Sequence, residues 1–178
     1  MEIRSARKNE STRVIEFYYD MIDKMQASEY RPTWKMGVYP TEEYLASLVQ
    51  RGQVFIGLEN GEIIGAMALN HDCNESYSEV KWSITANKHE VTILHLLSIL
   101  PEYGGRGYGM QMLDFAKHRA AQEKQKSIRL DVMEENLPAI KLYEAAGFKR
   151  LEVLRMFYES TGWSNFVMYE YEIPARTV

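Results

Sequence analysis

The chain has 178 residues, 46% hydrophobic and 26% charged, with a net charge of −4. That length suits one domain with a sizeable core, and the charge gives no general attraction to nucleic acid. No run of about 18 or more apolar residues offers a membrane span, Met1 to Ser5 is no apolar signal region, and the single cysteine, Cys73, excludes an intrachain disulfide and fits a reducing cytoplasm.

Taken in order, Glu2 to Ser5 reads as a short strand. A helix runs from about Ser11 to Ala27, with Val14, Phe17, Tyr18, Met21 and Met25 at helical spacing. Tyr30 to Pro40 is a loop rich in aromatics and prolines, including Trp34 and Tyr39. Thr41 caps a second helix through Val49 that Gly52 ends. The apolar runs Val54 to Leu58 and Ile63 to Leu69 flank Asn60-Gly61, a strong hairpin signal. His71 to Lys88 is a polar excursion, and its aromatics Tyr77 and Trp82 predict order. A strand from Val91 to Leu100 follows.

That strand breaks at Pro101 into a run with glycines at 104, 105, 107 and 109, after which a helix runs from about Tyr108 to Lys124. Glycines between a strand and a helix bring bare N–H groups to an anion at a helix N-terminus. A dinucleotide fingerprint fails, because Met110 or Met112 stands where the third glycine belongs in either frame. A P-loop fails too, because Met110 and Gln111 occupy the lysine and magnesium-ligand positions. What is left suits a carrier whose phosphates anchor it without reacting. Ile128, Leu130 and Val132 then alternate as a strand. Asn136 is an N-cap, Pro138 falls in the first turn, and Gly147 closes the helix. Strands near Phe148 to Tyr158 and Phe166 to Ile173 complete the pattern.

Gly104-Gly105-Arg106-Gly107-Tyr108-Gly109 resembles motif A of the GCN5-related N-acetyltransferase (GNAT) superfamily, Gln/Arg-x-x-Gly-x-Gly/Ala. The departure is Gly104, where Gln or Arg is usual. Asn136, Ala139, Tyr143, Gly147 and Phe148 resemble motif B, Asn-x-x-Ala-x-x-x-Tyr-x-x-x-Gly-Phe. With the helix between them the two blocks cover about the C-terminal half of the chain, and their joint spacing is specific. The resemblance implies an α/β (α+β) fold: a single domain over residues 1–178, with a mixed, mostly antiparallel sheet, helices on both faces and a splayed central strand pair.

It also implies acetyl-CoA as acyl donor, held by Gly104 through Met110. Main-chain groups at Leu97 and Ile99, freed where the strand splays around a bulge, would bond the acetyl and pantetheine portions, and Asn136 would contact the pantetheine arm. Tyr143 matches the tyrosine that donates to the leaving thiolate, and its reference pKa near 10 keeps the proton on at neutral pH. His95 aligns with a histidine proposed as base in the arylalkylamine N-acetyltransferase branch, whereas Ile93 stands where other branches carry an acid. On a regular strand His95, Leu97 and Ile99 share one side. Trp34, Tyr39, Tyr77 and Trp82 lie in segments the family places around the acceptor mouth, and suit a hydrophobic or cationic amine.

Structural readings compete at several positions. Asn136 can be a cap alone, Tyr143 a core aromatic, His95 a hydrogen-bonded core histidine, and the four aromatics core closure. Glu134 and Glu135 read as a solvated turn, while Phe157 to Trp163 bends over the acceptor or packs a partner copy. His71, His89 and His118 lack metal-ligand spacing, so no metal is expected. The leading function is acetyl transfer to a primary amine of a small molecule or peptide, in the cytoplasm, with no nucleic acid or membrane partner and with a homodimer left open. The alternative is a catalytically idle acyl-CoA-binding sensor or regulatory subunit.

Overall fold

The computed structural model describes residues 1–26 and 34–174. Ala27, at the expected end of the first helix, and Tyr30 to Thr33 of the expected aromatic loop lie outside the described residues. Seven strands form one sheet in the order β1-β2-β3-β4-β5-β7-β6: β1 (Glu2–Ser5), β2 (Val54–Glu59), β3 (Glu62–Asn70), β4 (Val91–Ile99), β5 (Ser127–Met133), β6 (Lys149–Tyr158) and β7 (Gly162–Glu172). Every neighbouring pair is antiparallel except β4 and β5, which run parallel. The sheet is therefore mixed and mostly antiparallel, as expected.

The helices are α1 (Ser11–Met25), α2 (Glu42–Gln50), α3 (Tyr108–Gln122) and α4 (Leu137–Ala145). On one face α1 and α2 bury Val14, Phe17, Leu45 and Leu48 against Ile56, Ala66, Ala68 and Leu96. On the other, Met112, Leu113 and Ala116 of α3 and Ile140 and Tyr143 of α4 pack on Met67, Leu94, Ile128 and Leu130. This division follows from strand alternation, since neighbouring residues such as Phe55 and Ile56 enter opposite cores.

Local signals in the sequence do their expected work. Asn60 and Gly61 take φ of 52° and 84°, the left-handed pair that a tight hairpin turn demands. Thr41 accepts a hydrogen bond from the Tyr44 N–H at 3.1 Å. Gly147, at φ 83°, ends α4 with two bonds, Gly147 N–H to the Glu144 carbonyl and Phe148 N–H to the Tyr143 carbonyl, the paired geometry of a glycine C-cap.

The excursion from His71 to Lys88 is ordered by charge as much as by apolar contact. Arg129 on β5 donates to Glu170 on β7 at 2.9 Å and to the Ile84 carbonyl at 2.6 Å. Glu170 accepts the N–H groups of Ser83 and Ile84, and Trp82 stacks on the Arg129 guanidinium at 4.2 Å. A buried pair survives desolvation only when its remaining polar atoms are bonded in this way. Its partners here are the excursion's own backbone.

Candidate functional site: a phosphate cradle, a parted strand pair and an acceptor cavity

The glycine run forms an open cradle. Gly105 and Gly107 take φ of 73° and 77°, and a Cβ added at either would meet nothing within 4 Å. From Gly105 through Met110 the backbone N–H groups have no acceptor among the described residues, whereas Gly104 N–H is bonded to the Pro101 carbonyl and Gln111 N–H to that of Gly107. Consecutive free donors at a helix start bind phosphate by geometry and dipole. The Arg106 side chain is engaged locally, donating to the Glu102 carbonyl at 3.1 Å and lying over Tyr103. The Tyr108 hydroxyl donates to Glu59 at 2.6 Å, so these two contribute main chain.

Gly104 and Gly109 serve different ends. At Gly104 a Cβ would stand 3.0 Å from the Pro101 carbonyl oxygen, a close contact within the turn that a larger residue would have to ease by a small shift. At Gly109 a Cβ would stand 2.9 Å from Leu142 Cδ2 of α4. A side chain at Gly109 thus meets a helix packed behind the cradle.

Beyond the cradle, β4 and β5 pair only from Val91 to Ile93 against Ser127 to Arg129 and then part. On its other edge β4 carries a bulge, since Ala68 pairs with His95 but Ala66 pairs with Ser98. Leu96 at the bulge adopts φ 57°. Its carbonyl accepts the hydroxyl of fully buried Tyr18 at 2.9 Å, a bond that fixes the kink from α1. The expected shared side for His95, Leu97 and Ile99 is therefore corrected. Leu97 and Ile99 join the core under α3 and α4. His95, paired with Ala68, lies on the α1 and α2 face with Leu96, because one inserted residue reverses strand parity.

A cavity of about 720 Å³ runs through the parting. On the cradle side Asn136 and Tyr143 line it. Asn136 Oδ1 caps α4 by accepting the Ala139 N–H at 3.3 Å, which leaves its amide NH₂ free of protein partners among the described residues. Tyr143 is buried, packed on Phe148 and Tyr169, and its hydroxyl has no hydrogen-bond partner among the described residues. Burial, and next the charge of Asp131, push its pKa well above the ordinary tyrosine value, so the proton stays on.

On the far side sit His95 and Asp131. His95 Nε2 lies 3.0 Å from Asn70 Oδ1 and 2.9 Å from the Asp72 carbonyl. Asn70 Oδ1 also accepts the Asp72 N–H at 2.9 Å, which fixes that atom as oxygen. Both neighbours of Nε2 are acceptors, so Nε2 carries the hydrogen and Nδ1 the lone pair. Burial lowers the His95 pKa, with the Asp131 charge opposing. The imidazole is thus neutral at neutral pH.

Asp131 is a site residue the sequence reading missed. Its Oδ1 accepts the hydroxyls of Tyr77 at 2.8 Å and Tyr158 at 3.1 Å, and burial raises its pKa against those two bonds and His95. The alternation of Ile128, Leu130 and Val132 placed Asp131 on the opposite strand face, the one available signal. Trp34 and Tyr39 line the cavity, joined by Tyr44, in a series whose first pair packs edge to face with centroids 6.4 Å apart and whose second pair is tilted at 5.7 Å. Tyr77 and Trp82 do not line it. Tyr77 is buried behind Asp131, and Trp82 Nε1 donates to the Tyr77 carbonyl at 2.8 Å. The run from Phe157 to Trp163 divides, with Tyr158 turned into the cavity while Phe157 and Trp163 are 50% and 64% exposed.

Comparison with known proteins bears on the family and the fold. An N-acetyltransferase of Methanocaldococcus jannaschii, itself uncharacterized, is 29% identical over 70% of this chain, a match spanning 49% of that relative. An N-alpha-acetyltransferase of Sulfurisphaera tokodaii is 28% identical over 88% of this chain and 84% of its own. The structure of yncA from Salmonella typhimurium, solved with its cofactor acetyl-CoA, superposes with a TM-score of 0.71 over 100% of this chain and 96% of that one at 15% identity, a likeness of fold. The family model described as "Acetyltransferase (GNAT) family" matches residues 19–148. Those residues hold the bulge, the parted strands, the cradle and the capped α4 together, and the chain belongs to the acetyltransferase (GNAT) family.

Proposed function

We propose that this chain transfers the acetyl group of acetyl-CoA to a primary amine of a small molecule or peptide. The observation that carries the reading is the cavity between β4 and β5, which brings a proton-holding tyrosine on one side and a neutral histidine on the other to the same parting. The six free N–H groups from Gly105 to Met110 fit a pyrophosphate, and the free Asn136 amide fits a pantetheine amide. Acetyl-CoA supplies a thioester with a good leaving group. The β5-facing edge of β4 has no ladder partner beyond Ile93, so the main chain near Leu97 and Ile99 offers donors there for charge on the acetyl oxygen. His95 Nδ1 accepts the proton the amine loses as its nitrogen bonds to the acyl carbon, and Tyr143 donates its proton to the sulfur released when the C–S bond breaks. A reducing cytoplasm is the compartment this reading favours, with Cys73 unpaired. Among the described residues no helix is long and apolar enough to cross a membrane.

The test is Tyr143→Phe, which keeps the ring and removes the proton. Acetyl-CoA affinity by calorimetry should stay near normal while turnover falls by a factor of about 10²–10⁴. Turnover within twofold of the parent, with proton transfer limiting, would reduce Tyr143 to packing.

A further inference from the structure

The geometry points to an acceptor whose amine arrives at Asp131 as an ammonium, sheds its extra proton to solvent before its nitrogen attacks, and carries no carboxylate on the amine-bearing carbon, with an apolar or aromatic body against Trp34, Tyr39 and Tyr44. The inference rests on the acetyltransferase reading above and deepens it to a substrate class. Its first support is the half-occupied carboxylate. Tyr77 and Tyr158 both donate to Oδ1, and Oδ2 has no protein partner among the described residues although Asp131 lines the cavity.

The second support is the charge of the cavity wall. Its described lining includes no lysine or arginine and three carboxylates, Asp72, Asp131 and Glu135. Asp72 is already faced by Arg51 at 3.6 Å and Lys88 at 3.4 Å, and Glu135 is exposed beside Asn136. His95, the remaining group able to carry positive charge there, is held neutral by burial. Among the described lining, Asp131 is therefore the buried carboxyl with no cation beside it; burial raises its pKa, so an arriving ammonium supplies the charge that holds it ionised, whereas a carboxylate brought next to it finds no compensating cation. The aromatic series adds ring faces that favour a cation and an apolar body together. A small amine and the amino terminus of a peptide share this chemistry, whereas a free amino acid does not.

The experiment uses the full chain with three matched acceptors: 2-phenylethylamine, phenylalaninamide and phenylalanine. Thiol release from acetyl-CoA should give a kcat/KM at least tenfold higher for one or both of the first two than for phenylalanine. A lead for 2-phenylethylamine identifies a small-amine acceptor, and a lead for phenylalaninamide a peptide amino terminus. Asp131→Asn keeps an oxygen for both tyrosine hydroxyls, and should raise the acceptor KM at least tenfold while the acetyl-CoA KM stays within twofold. Equal use of phenylalanine, or an unchanged acceptor KM in Asp131→Asn, overturns the assignment. Calorimetry with CoA present separates the two levels. Amine binding that Asp131→Asn abolishes, without thiol release from the parent, sinks the acetyltransferase reading and keeps the Asp131 site. No amine binding to the parent sinks the site.

Discussion

Tyr18→Phe tests whether the bulge in β4 is held from α1. The substitution leaves the ring in its edge contacts with Phe17 and Trp34 and removes only the hydroxyl that donates to Leu96 at 2.9 Å. A buried carbonyl that loses its donor costs about 1–3 kcal/mol. Ser98 Oγ still reaches the same oxygen at 3.3 Å, so the lower part of that range, about 1–2 kcal/mol, applies. For a chain of this size each kcal/mol moves Tm by about 2–4 °C, so calorimetry should record a fall of about 2–8 °C. The left-handed conformation of Leu96 itself costs about 1–2 kcal/mol, which the Tyr18 bond offsets. Without it the kink relaxes and the main chain at Leu97 shifts, so kcat/KM should fall about tenfold, the equivalent of about 1.4 kcal/mol in transition-state stabilisation. A Tm within 1 °C of the parent, on the order of a few tenths of a kcal/mol, together with kcat/KM within twofold, would refute the claim that Tyr18 holds the bulge.

The remaining predictions address the cradle and the base. Gly107→Ala forces a side chain into a left-handed backbone at a cost of about 1 kcal/mol or more and should weaken CoA binding at least tenfold in calorimetry. Gly109→Ala crowds the Leu142 side chain, nearest at 2.9 Å, and not the amides, so it should lower Tm by a few degrees with CoA affinity within threefold; the reverse ranking would overturn the division of roles. For His95, burial lowers the pKa, so the neutral base persists below the ordinary value near 6.5 and the acid limb of kcat/KM should lie below that pH. His95→Gln should lower turnover and remove that limb, whereas an unchanged profile with a lower Tm would assign His95 to structure.

Motif spacing and punctuation carried much of this protein. Asn60-Gly61, Thr41, Asn136 and Gly147 act within four or five residues of themselves, and short-range backbone chemistry can be read from neighbours alone. The same holds for the cradle, whose free N–H groups follow from glycine beside a helix start. The bulge was implied only by the family resemblance; its position and its reversal of parity could not be read from Val91 to Leu100, which offered a regular alternation, because the bond that holds it comes from the Tyr18 hydroxyl 78 residues away. Asp131 was equally silent. Its partners are 54 and 27 residues distant, and its burial depends on the excursion that Arg129 and Glu170 tie down. Local propensity sets elements and caps. Which atoms of those elements are left unpaired, and which carboxyl in the cavity is left without a cation, is decided only when distant strands and helices close around them.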